Sequence, residues 1–183
     1  MASASLRWFI CLLLLTAGCG SLKDDLAPSG ADQRSPVVPG SVGSMAGQTA
    51  PDFTLSDTLG NPVTLSAVLP PVQGVVLYFT MWCSTCDTDM TTIKTFLIPN
   101  YPNVRFYAVD YVSGSVADAR TAEIKNGYAN SGFTVLADMN QSVLISYAAT
   151  MATTVVIDRN GTVRMNEGFK DAAKLQEVLS SLP

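Results

Sequence analysis

Apolar and polar positions along the chain fall into two alternating patterns. Phe53-Thr54-Leu55 and Val63-Thr64-Leu65 have the period of two of half-buried strands. The turn residues Leu59-Gly60-Asn61-Pro62 lie between them, so the spacing predicts a short hairpin. Gly74 to Thr80 is a continuous β-prone run, the pattern of a strand buried on both faces. Met90, Ile93, Phe96 and Leu97 recur at helical spacing on one face, and Pro99 ends that helix. Val104 to Tyr111 reads as a second buried strand. Val116 to Asn130 reads as a weaker amphipathic helix closed by Ser131-Gly132. Phe133–Ala137 predicts a strand, and Val143, Leu144, Tyr147 and Ala148 mark a short helix. Thr153–Asp158 and Thr162–Met165 flank Arg159-Asn160-Gly161, whose Asn-Gly is a hairpin signal. Ala172, Leu175, Leu179 and Leu182 form the stripe of a terminal helix. Strands alternating with helices, followed by a hairpin, predict one α/β domain over residues 48–183. Its central mixed sheet is flanked by helices, and there is no internal repeat.

The first 47 residues have neither pattern. Arg7 precedes an unbroken apolar run from Trp8 to Leu15, then Thr16-Ala17-Gly18-Cys19. That run is far shorter than the roughly 20 residues a bilayer-spanning helix needs, so residues 1–19 read as a targeting segment. Small residues before a cysteine resemble a bacterial lipoprotein signal, which implies lipid on Cys19; an ordinary secretory signal is the alternative. Residues 20–47 hold five Gly, five Ser, three Pro and no aromatic residue. Such a composition buries little apolar surface and predicts a flexible linker.

Composition then removes whole classes of chemistry. The 183 residues carry 11 Lys and Arg against 15 Asp and Glu, and no histidine. A net charge of −4 without a basic cluster argues against nucleic-acid binding, which depends on clustered cations releasing counterions. Without imidazole there is no Ser-His-Asp or Cys-His nucleophile pair and no His-ligated metal. What remains is carboxylates, hydroxyls, lysines and four cysteines. Cys11 falls in the targeting segment and Cys19 would be lipidated, which leaves Cys83 and Cys86 to the domain. An exported protein meets an oxidising compartment. A bridge across two intervening residues closes too small a loop to stabilise a fold, so the pair is not a structural staple.

Cys83-Ser84-Thr85-Cys86 stands where a buried strand meets an amphipathic helix. There the free backbone N–H groups and the helix dipole stabilise a thiolate. Cys83 is the expected nucleophile, and Cys86, one turn on, would resolve the mixed disulfide. A zinc site would need two further ligands that the domain does not supply, and an inert buried pair is the bland alternative.

Ala50-Pro51-Asp52-Phe53, the strand entering Trp82-Cys83-Ser84-Thr85-Cys86, and Thr153 to Asp158 with Asn160-Gly161 resemble the thioredoxin-like redoxins. The closest resemblance is to TlpA-like exported thiol–disulfide oxidoreductases and the neighbouring AhpC/TSA peroxiredoxins, over about Thr49 to Pro183. It implies a thioredoxin-like fold with an N-terminal β-hairpin and an inserted segment over Val116–Ala148. Trp82 matches the tryptophan before the motif. Asp89 matches a carboxylate three residues after the second cysteine and could handle protons, or could simply face the helix dipole. Ala152 takes the place of the family's cis-proline. A cis Met151–Ala152 peptide would cost ~3 kcal/mol, so a trans bond and a reshaped substrate groove, lined by Thr80, Trp82, Met151 and Ala152, are expected. Ser84-Thr85 replaces the usual Gly-Pro of reducing thioredoxins, which leaves the direction of electron flow open.

Peroxidases of this family carry a threonine where Thr80 stands, but a proline where this chain has Val76 and an arginine where it has Ala152. The resemblance therefore favours disulfide exchange over peroxide reduction, with a non-catalytic redox-sensing module as a third reading. It implies no organic cofactor and no metal. The partners implied are protein thiols and disulfides, an upstream electron donor or acceptor, and a bacterial membrane holding the lipid anchor on its periplasmic side.

Overall fold

The run that reads as a doubly buried strand becomes β3 (Gly74–Thr80), every residue of which is buried. A computed structural model describes residues 36–183, so the expected targeting segment, Cys19 and residues 20–35 of the expected linker lie outside the described residues. The hairpin forms as β1 (Thr54–Asp57) and β2 (Pro62–Thr64), followed by the single-turn helix α1 (Leu65–Val68). After β3 come α2 (Ser84–Phe96), β4 (Val104–Asp110), α3 (Val116–Lys125), β5 (Phe133–Ala137) and α4 (Ser142–Ser146). The chain closes with β6 (Thr153–Asp158), β7 (Val163–Gly168) and α5 (Ala172–Ser180).

The seven strands form one mixed sheet in the order β2-β1-β5-β4-β3-β6-β7. β3, β4 and β5 run parallel, and β6 lies antiparallel to β3. The segment expected as an insertion thus supplies α3, α4 and a parallel strand inside the sheet. Side chains of β3 alternate between two cores. Val76 and Tyr78 pack with Met90 and Ile93 of α2 and Leu175 and Leu179 of α5. Val75, Leu77 and Phe79 pack with Leu65, Val143 and Tyr147 on the other face. Each of these apolar side chains contributes about 2 kcal/mol by burial, so the strand that delivers the cysteines is anchored from both faces of the sheet. The C-terminal ends of β3, β4 and β5 and the start of β6 share one sheet edge, the usual position of a binding crevice in such sheets.

Three expectations change. Phe96 is 61% exposed, and the buried face of α2 is instead Cys86, Met90 and Ile93, continued by Leu97. The helix expected to reach Asn130 stops at Lys125, because Gly127 takes φ +77° and turns the chain back so that Tyr128 enters the core. The compact unit begins at Val37, not Gln48. Residues 37–47 are docked through their backbone: Thr49 N–H donates to Ser41 O, Gly47 N–H to Val163 O, and Val163 N–H to Gln48 O, all at 2.9 Å. Asn166 Nδ2 adds a bond to Ser44 O. This segment covers the start of edge strand β7, whose free backbone groups would otherwise face water. Among the described residues no helix is long and apolar enough to cross a membrane.

Candidate active site

Cys83 caps α2. Its extended backbone (φ −83°, ψ 165°) turns the sulfur back over the first turn, where Sγ accepts the Cys86 N–H at 3.1 Å. A thiolate there would keep that bond and the positive end of the helix dipole, and both lower a thiol pKa. Cys83 and Cys86 are joined as a disulfide, with Cα atoms 5.0 Å apart. Their exposure differs: Cys83 is half-buried, whereas Cys86 is completely buried against the α2 core. An incoming sulfur therefore meets Cys83 first.

The turn that presents Cys83 is held by bonds the sequence did not disclose. Trp82 adopts φ +60°, a left-handed conformation costing a bulky residue about 1–2 kcal/mol. Two contacts fix it there. Its N–H donates to Thr80 Oγ1 at 3.1 Å, and its indole Nε1–H donates to Asp110 Oδ2 at 2.8 Å. Asp110 is fully buried at the end of β4 and also accepts the Val112 and Ser113 amides and the Ser113 hydroxyl. It offers four acceptor positions to four donors, so the carboxylate is balanced without a counter-ion.

Tyr128 secures the opposite side. Its hydroxyl donates to Asp87 Oδ1 at 2.7 Å, and its ring sits beside that of Trp82 at a centroid distance of 6.1 Å. Burial pushes the Tyr128 phenol up to about 12, so it stays a donor at neutral pH. Thr80, Trp82, Cys83, Cys86, Asp87, Met90, Asn126 and Tyr128 line one small hollow. Neither Asp110 nor Tyr128 stood out in the sequence. An acidic residue ending a buried strand was the only available signal for Asp110.

The remaining expected residues are placed as follows. Thr80 is fully buried with its hydroxyl turned to Trp82, so it supports the turn and does not line an open groove. Asp89, half-buried one turn after Cys86, accepts the Tyr78 hydroxyl at 2.9 Å. Burial pushes the Asp89 carboxyl above the ordinary aspartate range, against the opposing pull of that hydrogen bond. Met151 is 43% exposed, with its Sδ 3.4 Å from Cys83 Sγ. The Met151–Ala152 peptide is trans, and Ala152 adopts φ +62°. Ala152 is tied on both sides, its N–H to Phe79 O and its carbonyl to Phe169 N–H. Two left-handed non-glycine residues, Trp82 and Ala152, thus flank the disulfide, the kind of local strain that collects at functional sites.

Comparisons with known proteins agree with this geometry. The thiol-disulfide oxidoreductase ResA of Geobacillus kaustophilus is 30% identical over 121 residues, which span 64% of this chain and 66% of that protein, just under two thirds of its length. A Chlorobium tepidum structure described as the thiol:disulfide interchange protein DsbE superposes with a TM-score of 0.63 at 26% identity, over 75% of this chain and 96% of that one. A secreted disulfide oxidoreductase from Mycobacterium tuberculosis shares the fold at 22% identity and a TM-score of 0.56, over 71% and 96% of the two chains. These neighbours make the fold thioredoxin-like. Residues 46–166 match the AhpC/TSA family, and because that match spans more than half of the chain, the protein belongs to it.

Proposed function

We propose that the protein is a thiol–disulfide oxidoreductase exchanging electrons with protein disulfides through Cys83 and Cys86. The observation that carries this reading is the asymmetry of the pair, a half-exposed sulfur capping a helix and bonded to a buried one. In the reducing direction the Cys83 thiolate attacks one sulfur of a partner disulfide, and the other partner sulfur leaves as a thiolate and takes up a proton. Cys86 then loses its proton and attacks Cys83 Sγ, which frees the second partner thiolate and closes the Cys83–Cys86 bond. Asp89, on the α2 face of Cys86 and with a raised pKa, is the carboxylate proposed to receive the Cys86 proton. The opposite direction runs through the same steps reversed. The ResA and DsbE relatives support this reading.

We further propose export and lipid anchoring at Cys19, with the domain facing the periplasm, on the strength of residues 1–19 alone. Peroxide is the second substrate class, raised by the AhpC/TSA match. Against it stand Val76 in place of the proline that such peroxidases carry and alanine at position 152, where that chemistry needs a cation. Cys83→Ser should abolish exchange, and Cys86→Ser should accumulate mixed disulfides visible on non-reducing gels. A Cys83→Ser protein that still turned over a disulfide substrate would overturn the mechanism.

A further inference from the structure

We propose that the reduced site binds one cuprous ion through three sulfur atoms, the thiolates of Cys83 and Cys86 and the thioether of Met151. The inference rests on the reading of Cys83–Cys86 as a reducible pair and adds a ligand to that same site.

Met151 reaches the pair from the turn before β6, 68 residues away in sequence, and places Sδ 3.4 Å from Cys83 Sγ. Within a disulfide Cys83 has no hydrogen to donate, so this is a contact between two sulfur atoms. Its position is fixed from behind: the following residue, Ala152, is held by hydrogen bonds to both Phe79 and Phe169. With metal–thiolate bonds of about 2.3 Å, two sulfurs at this separation subtend about 95° at a metal, and an opening of about half an ångström gives trigonal 120°. Reducing the disulfide frees the Cys83 side chain to make that movement. Cys83 is half-buried and Met151 exposed, so an ion has a way in.

The donor chemistry selects the ion. The chain has no histidine. The two carboxylates of α2 each accept a phenol hydroxyl, Asp87 from Tyr128 and Asp89 from Tyr78, and as hard oxygen donors they do not favour a cuprous ion. Two thiolates and a thioether form a wholly soft set, which suits Cu(I) and disfavours hard cations. Zinc would need a fourth ligand to complete a tetrahedron. Among the described residues no group of three Cys, Asp or Glu could supply a metal site in its own right. Binding is redox-neutral: both thiols release protons to water, copper stays Cu(I), and the site gains a net charge of minus one. Because only the reduced pair binds, the ion draws the equilibrium toward the dithiol.

The test uses the full chain in detergent carrying Cys11→Ser and Cys19→Ser, reduced without oxygen and freed of reductant. Thiol counting should give two. Cu(I) titrated in competition with bathocuproine disulfonate should bind at one ion per chain, with three sulfur scatterers in X-ray absorption. Met151→Leu should weaken binding at least about tenfold, the scale on which even outer-shell partners act, and leave two scatterers. Met81→Leu, at an exposed methionine between β3 and Cys83, should change neither, and unchanged Trp82 fluorescence would show that the Met151 variant is folded. Two thiols with Met151→Leu binding like the parent, or two scatterers in both, would overturn this inference and leave the exchange reading intact. Failure to find two reducible thiols would overturn both.

Discussion

Replacing Asp110 by asparagine should loosen the turn that carries Cys83, by an amount that the hydrogen bonds of this carboxylate define. Oδ1 accepts the Val112 and Ser113 amides, while Oδ2 accepts the indole N–H of Trp82 and the Ser113 hydroxyl. Asparagine keeps one oxygen for the two amides and turns an NH2 group toward the other two. The Ser113 hydroxyl can rotate and accept, but the indole N–H can only donate, so one half-buried donor loses its partner. A hydrogen bond to a charged group contributes about 1.5–3 kcal/mol, so Asp110→Asn should destabilise the domain by about 2 kcal/mol. For a domain of this size that lowers Tm by roughly 4–8 °C. Trp82→Phe removes the same bond from the other side. Thermal or urea unfolding of both single variants and the double variant would close a cycle whose coupling should reach at least about 1 kcal/mol. Additivity within about 0.5 kcal/mol would refute the claim that Asp110 acts on the turn through the indole.

The pKa of Asp89 is raised in the folded state, chiefly by burial, so its ionisation opposes folding. The folded state binds the extra proton, and stability is lost as pH rises from the ordinary aspartate range through the raised pKa. Asp89→Asn should therefore be at least as stable as the parent at neutral pH, with any advantage vanishing in acid. The same variant should slow the Cys86 resolving step about 100-fold, read as persistence of the mixed disulfide; an unchanged rate at every pH would remove Asp89 from the mechanism. Gly132 has φ +91°, and a Cβ there would lie 2.7 Å from Ile98 Cγ2. Gly132→Ala should cost about 1–2 kcal/mol in urea unfolding, and a neutral result would contradict the packing described before β5.

The strands, most helices and the cysteine pair were legible because they rest on local signals: a period of two, a period near four, an Asn-Gly turn, a strand running into a helix start. The residues that hold the site were not, because they depend on register. Thr80 pairs with Asp110 across β3 and β4, and only that pairing brings the Asp110 carboxylate beside Trp82. Tyr128 reaches Asp87 only because α3 ends early, at Lys125, and the chain turns at Gly127, whereas its sequence reads as a longer helix. Met151 was placed near the groove through the family's proline position, but its contact with Cys83 comes from a left-handed turn that alanine rarely adopts. The docked part of the expected linker escaped for a different reason. Composition reports side chains, and residues 37–47 are held largely by backbone N–H and C=O groups.

Whether Cys83 exchanges with disulfides can be read from the tryptophan beside it. Of the two tryptophans, Trp8 lies outside residues 37–183, so Trp82 is the only one in that domain. That domain, reduced and mixed in a stopped flow, would report its oxidation through Trp82 fluorescence. Oxidation by a small disulfide should be fast, and the response to hydrogen peroxide much slower. Fast oxidation by peroxide with a sluggish disulfide reaction would assign the site to peroxidase chemistry, and slow reaction with both would leave the pair without a catalytic role.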